Sequence, residues 1–180
     1  MSDILILPGI GGSGEEHWQT YWEKAQPSMR RFAPASWDNP DLADWIASLD
    51  RAIGDTNQPP FLVAHSLACL LIAHWHRRLP RRIAGAFMVA VPDPVGAQFP
   101  PEAAEFEGVP EGRLGFPSLI IASSNDPFAS LNYTRRRAAE WGAGLVELGA
   151  LGHINGKSGL GKWQEGLSLL HAFKAGLMRA

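Results

Sequence analysis

The sequence predicts an α/β fold, a three-layer α/β/α sandwich around a mostly or fully parallel sheet of about six strands. Three observations lead there. Short apolar runs without a polar break recur along the chain, the pattern of strands buried on both faces. Segments with apolar residues at helical spacing stand between them. Ile10, Ser66, Asp93, Asp126 and His153 each fall just after a proposed strand. In a parallel sheet, residues beyond the carboxyl ends of the strands share one edge.

Ile4–Leu7 is the first strand, and Pro8-Gly9-Ile10-Gly11-Gly12-Ser13-Gly14 follows as a glycine-rich loop. Glu15 and Glu16 are expected to open a helix carrying Trp18, Trp22 and Ala25, since acidic side chains suit that end. Residues 29–32 read as a weak second strand. Asn39-Pro40 reads as a helix cap with proline at the first helical position. Leu42, Trp45, Ile46, Leu49 and Ile53 then mark one helix face, and Gly54 ends it. Residues 61–64 form a strand bounded by Pro59 and Pro60, leading straight into a helix with Leu67, Leu70, Leu71, Trp75 and Leu79.

Residues 83–91 are another apolar run. Residues 92–115 have no clear period and are rich in proline and acids, so they read as a long excursion with a short helix near 102–106. Residues 118–122 are the next strand. Ser130 suits the cap of a helix that ends near Trp141, with Gly142 just past it. Residues 145–148 are the last strand, and residues 149–161 a loop holding His153. A final helix carries Trp163, Leu167, Leu170, Phe173 and Leu177.

At 180 residues the chain is expected to form one domain, residues 1–180, with a full core. It is 46% hydrophobic and 19% charged, an ordinary globular composition. A net charge of −2 argues against nucleic acid as the main partner. No apolar stretch approaches the ~18 residues of a membrane span. Cys69 is the single cysteine, which rules out an internal disulfide and favours a reducing compartment. Together with a start that lacks the pattern of a signal peptide, this makes a cytoplasmic location the expectation.

The stretch Ala64-His65-Ser66-Leu67-Ala68 sits at the junction of strand and helix. A serine at such a corner, flanked by small residues two before and two after, is a weakened form of the nucleophile elbow, with alanines where glycines are commoner. A serine hydroxyl needs a base to take its proton, and the base needs a carboxylate to hold its tautomer. Ser66, Asp126 and His153 occur in the order serine, acid, histidine that α/β folds of this kind use. The Leu67 amide and an amide of the glycine loop, Ile10 or alternatively Gly11, are candidates for an oxyanion hole.

These motifs resemble a known family. The chain is similar to the small serine hydrolases related to retinoblastoma-binding serine hydrolase and to their short bacterial relatives. The resemblance lies in Leu7-Pro8-Gly9 with His17-Trp18 after it, in Trp37, Pro40 and Trp45, and in Val63-Ala64-His65-Ser66-Leu67. It continues in Ala122-Ser123-Ser124-Asn125-Asp126-Pro127 and Gly152-His153-Ile154-Asn155, so it spans nearly the whole chain. It implies a compact α/β-hydrolase fold with little or no lid and a triad of Ser66, Asp126 and His153. Ala68 departs from the family, which usually has glycine there. The expectation is hydrolysis of small carboxylic esters, or of amides or thioesters, through an acyl-enzyme on Ser66. No cofactor and no metal are called for, and the small-molecule substrate is the only partner with support. The alternatives are a non-catalytic protein-binding member of the same fold, or an acyltransferase.

Each of these residues also has a plainer reading. Ser66 is a good helix cap, Asp126 precedes a proline in strong turn chemistry, and Asp93 competes for the role of acid. Gly11, His17, Trp18 and His65 are candidate pocket residues, with a helix-start contact as the other reading of His17-Trp18. His74 and His76 are expected on the helix surface, and His171 in the last helix. Cys69 is expected to be buried and inert. Arg77, Arg78, Arg81 and Arg82 cluster around Leu79-Pro80 and read as a solvated helix end.

Overall fold

The structure is a computed structural model and describes residues 3–79 and 81–177. Pro80, around which the arginine cluster was drawn, lies outside the described residues. Along the chain the elements are β1 (Ile4–Leu7), α1 (Trp18–Ala25), β2 (Met29–Arg31), α2 (Leu42–Gly54), β3 (Phe61–His65) and α3 (Leu67–Arg78). They continue with β4 (Gly85–Val89), β5 (Ser118–Ser123), α4 (Leu131–Trp141), β6 (Gly144–Leu148) and α5 (Gln164–Leu177). Short 3-10 turns cover Pro101–Phe106 and Gly156–Ser158.

The six strands form one sheet in the order β2-β1-β3-β4-β5-β6, every pair parallel. Strands buried on both faces explain the unbroken apolar runs, and the pleat sorts them. Leu5, Leu7, Leu62, Ala64, Ala86 and Met88 face one core, packed by α2, α3 and α4. Ile4, Ile6, Phe61, Val63, Phe87 and Val89 face the other, packed by Trp18 and Trp22 of α1 and Leu170 of α5. The architecture is thus the three-layer sandwich the sequence predicts. Strand order reverses between β1 and β3, since β2 lies outward on one side and β4 to β6 on the other. Loops leaving β1 and β3 therefore part to opposite faces, and a crevice forms at their carboxyl ends.

Three expectations need correction. Glu15 and Glu16 precede α1 and do not open it: the cap is His17, whose ring accepts from the Gln19 N–H at 3.2 Å. The cap of α2 is Asp41, not Asn39, because its carboxylate accepts from the Asp44 N–H at 2.7 Å and is as good a capping group. His74 is buried rather than on the surface. The excursion folds back over α3, and His74 Nε2 donates to the Phe106 carbonyl at 3.2 Å. His76 is half-buried and accepts from the Gly115 N–H at 3.1 Å. Nothing in a helical period reveals that a distant segment returns to cover it.

The glycine loop is fixed in place by polar groups from α1 and β2. Gln19, fully buried, donates to the carbonyls of Leu7 at 3.2 Å and Val63 at 3.0 Å, tying β1 to β3. Its side-chain oxygen accepts from Ser13 Oγ at 2.7 Å. Arg31 donates to the Gly12 and Ser13 carbonyls, and Thr20 Oγ1 donates to the Ser13 carbonyl at 2.6 Å. Gly12 has φ +69° with the Trp37 indole against it, 2.8 Å from where a Cβ would stand, so only glycine fits.

Replacing Gln19 by Leu keeps the volume and leaves the Leu7 and Val63 carbonyls without this donor. Urea unfolding is expected to show a loss of about 2 kcal/mol. A pH effect follows from His17. Burial first, then the charges of Arg31 and His153, lower it from the ordinary 6.5 to about 4. Between those values the unfolded chain binds a proton that the folded chain refuses. This stabilisation is therefore present above the ordinary histidine range and is lost as pH falls towards about 4. Unfolding midpoints measured across that window should drop, with His17 responsible for at most about 3 kcal/mol. His17→Asn, which keeps a capping oxygen, should flatten part of the slope.

Candidate active site

Ser66 stands at the turn between β3 and α3. From Phe61 to Trp75 every residue but Ser66 is buried. Its backbone has φ +55° and ψ −125°, a strained conformation for any residue with a Cβ, and its side chain makes no capping bond to α3. The plain cap reading of Ser66 is thereby set aside. Gly9 reaches this turn closely: a Cβ there would stand 3.0 Å from Ser66 Cβ and 3.1 Å from the His65 carbonyl oxygen.

Ser66 Oγ donates to His153 Nε2 at 2.8 Å. His153 Nδ1 donates to both carboxylate oxygens of Asp126, at 2.9 and 3.0 Å. The Asp126 side chain is buried, and Oδ1 also accepts from the Phe128 N–H at 2.9 Å. The three side chains come from the ends of β3, β5 and β6 and meet at one edge of the sheet. An imidazole held this way is arranged to take a hydroxyl proton while the carboxylate fixes its tautomer. Asp93 does not join them; its Oδ1 accepts from the Val95 N–H at 3.1 Å.

A cavity of about 780 Å³ opens over Ser66 and His153. Pro92, Phe99 and Phe128 give it apolar walls, and Glu15, Glu16, Glu102 and Lys157 also line it. The excursion thus contributes a wall through Phe99, Pro100 and Glu102. Ile10, Gly11, Leu67, His17 and His65 also line the cavity, which brings the candidate pocket residues to it with one exception. Trp18 does not line it. Its indole is buried beneath the loop that bears His153, and Nε1 donates to the Ile154 carbonyl at 2.8 Å. Which side of a short helix meets a loop more than a hundred residues away is not written in the helix.

Amide donors are available beside Ser66. Leu67 begins α3, so its N–H has no intrahelical partner, and it points from the positive end of the helix. The Ile10 N–H has no acceptor among the described residues, whereas the Gly11 N–H is engaged by the Trp37 carbonyl at 3.1 Å. This favours Ile10 over Gly11.

The loop bearing His153 is held by groups that sequence reasoning passed over. Asn125 Oδ1 accepts from the Gly152 N–H at 2.7 Å and from Ser123 Oγ at 2.9 Å. Ser123 Oγ in turn accepts from the Leu151 N–H at 3.0 Å. Both sit in the Ser123-Ser124-Asn125-Asp126-Pro127 stretch, of which only Asn125-Asp126-Pro127 reads as turn chemistry. Phe128 packs on the His153 ring at 4.4 Å between centroids. Cys69 is fully buried behind the elbow, and burial pushes its thiol well up from its ordinary value. Among the described residues, no group of three or more metal-ligating side chains forms a cluster, and no helix is long and apolar enough to cross a membrane.

The geometry has counterparts. A structure of a protein described as a YdeN-like hydrolase from Pectobacterium atrosepticum superposes with a TM-score of 0.89 at 32% identity, covering 98% of this chain and 92% of that one. The ydeN gene product of B. subtilis matches with a TM-score of 0.81 at 19% identity, over 97% of this chain and 100% of that one. Est1E from Butyrivibrio proteoclasticus, solved with ferulic acid bound, shares the fold with a TM-score of 0.71 at 11% identity, over 99% and 89% of the two chains. No curated protein matches the sequence. The family model described as serine hydrolase matches residues 4–172, nearly the whole described chain, and on that match the chain belongs to the serine hydrolase family.

Proposed function

We propose that the protein hydrolyses small carboxylic esters through an acyl-enzyme on Ser66. The observation that carries this reading is the unbroken line from Ser66 Oγ through the His153 ring to Asp126, opening on a cavity beside two unengaged amides.

Ser66 Oγ attacks the acyl carbon while His153 Nε2 takes its proton. The carbonyl oxygen gains negative charge and is held by the Ile10 and Leu67 N–H groups. As the tetrahedral intermediate collapses, His153 returns the proton to the departing alkoxide and an alcohol leaves. Water then attacks the acyl-enzyme, giving its proton to His153. The acid departs and the proton returns to Ser66. Throughout, Asp126 stays ionised, keeps Nδ1 protonated and stabilises the imidazolium. The apolar walls of Phe99, Phe128 and Pro92 suit the hydrocarbon of a compact acyl or alkyl group, and the cavity volume lies in the range of small-molecule sites.

The test is reaction with a fluorophosphonate probe and turnover of 4-nitrophenyl butyrate. Wild type is expected to be labelled and to release nitrophenol; Ser66→Ala should lose all labelling and drop kcat by a factor on the order of 10⁴ or more. A wild type that neither labels nor turns over ester would leave the binding-protein reading in its place. Asp126→Asn should fold normally and lower kcat by about 10³ to 10⁴ with KM little changed, because the carboxylate acts on the imidazole and not on bound ester. Steady-state kinetics with far-ultraviolet circular dichroism as the folding control checks this.

A further inference from the structure

His153 is held by more than its carboxylate partner, and the extra contacts have a direction. His65 Nε2 lies 2.9 Å from the His153 carbonyl oxygen. A carbonyl only accepts, so the His65 proton sits on Nε2 and its Nδ1 carries a lone pair. One residue on, the Ile154 carbonyl accepts from Trp18 Nε1 at 2.8 Å. Two aromatic N–H donors, one from the end of β3 and one from the start of α1, thus grip consecutive carbonyls of the base loop.

The backbone shows why a grip is needed. Ile154 has φ +46°, an outlier for a β-branched residue, and Gly152 before His153 has φ +58°. Such strain persists only where the surroundings over-determine it. The Ile154 side chain is fully buried, which supplies one constraint, and the two N–H donors supply the others. The relaxed backbone would turn the peptide flanking His153 and carry its ring with it.

His17 buttresses the clamp. It accepts from Gln19 N–H at Nδ1, so its own proton is on Nε2, buried and without an acceptor at hydrogen-bond distance among the described residues. Its ring meets His65 edge-on at 4.7 Å between centroids, and His65 meets His153 at 4.9 Å. Both rings are lowered in pKa, chiefly by burial. A neutral His65 is what the forming imidazolium of His153 requires of so close a neighbour.

We propose that His65 and Trp18 are positioning residues that clamp the carbonyls of His153 and Ile154, holding a strained backbone so that the His153 ring stays in line with Ser66 Oγ. This rests on the esterase reading above. His65 lines the cavity but is buried, so the clamp acts chiefly through the ring's placement, and its loss appears mainly in kcat and in the rate of probe labelling rather than in KM.

The test uses the full chain with His65→Leu, His65→Gln and Trp18→Phe, assayed by 4-nitrophenyl butyrate turnover and by fluorophosphonate labelling rate. Removing the donor in His65→Leu should lower kcat and the labelling rate by about ten- to a hundredfold with KM within about twofold. Gln carries an amide donor near the place of Nε2, and His65→Gln should recover a large part of the loss. Trp18→Phe keeps the ring and removes the donor, and should show the same kinetic split. Long-range ¹⁵N spectra of the wild type should show His65 neutral and protonated at Nε2 near neutral pH. A folded His65→Leu within twofold of wild type in kcat, or a wild-type His65 that carries its only proton on Nδ1, overturns the clamp. If His65→Leu does not fold, His65→Gln and the tautomer decide. A wild type inert to both ester and probe overturns the esterase reading, and this proposal with it. An active wild type with an indifferent His65 overturns the proposal alone.

Discussion

One backbone conformation organises this molecule: the turn at Ser66, where a residue with a Cβ is held at φ +55° between a strand and a helix that are both buried. The strain of about 1–3 kcal/mol at such a position is stable only because β3 and α3 cannot move. β3 pairs on both sides, with β1 and β4, and the first turns of α3 pack wholly inside the core. The same turn lifts the hydroxyl out of the sheet and frees the Leu67 amide beside it. Gly9 completes the constraint, because the glycine loop approaches to a distance at which no side chain fits.

The sheet then decides what meets that hydroxyl. Reversal of strand order between β1 and β3 opens the crevice into which the glycine loop folds. On the other side, β5 and β6 are neighbours in space and in sequence order, so the loops that follow them carry Asp126 and His153 to a common point. The acid and the imidazole are held to each other by a charge-assisted bond, and their loops by Asn125 and Ser123. The site is thus a product of three independent anchors: a strained turn, a stapled loop and a tied pair of loops.

Much of this was legible in the sequence. Unbroken apolar runs named the buried strands, and their alternation with helices named the parallel pairing. Placement just after a strand put Ser66, Asp126 and His153 at one edge with Ile10 and Asp93, and chain order then favoured Asp126 over Asp93. What escaped reading were contacts made by residues whose local signal is weak or points elsewhere. Gln19 is a polar residue in a short helix with no period to mark it as a tie between β1 and β3. His74 looked like a surface residue because the covering turn, Pro101–Phe106, comes from an aperiodic segment. His17 and Trp18 read together as pocket candidates; His17 is the extended cap residue and Trp18 the first helical one, so their side chains leave the backbone differently, and only packing shows which of them meets the cavity. Asn39-Pro40 drew the helix start two residues early because Asp41 offers an equal cap at the place where the backbone turns helical.

The indoles of Trp18, Trp22 and Trp163 pack against one another under the loop that carries His153, with the planes of Trp22 and Trp163 nearly parallel at 11° and their centroids 5.9 Å apart. Chromophores this close couple their electronic transitions, and the sign and size of the coupling depend on mutual orientation. The molecule therefore carries an optical gauge of its own beneath the proposed base. Small rearrangements of that loop register in near-ultraviolet circular dichroism and in tryptophan emission, with no label attached.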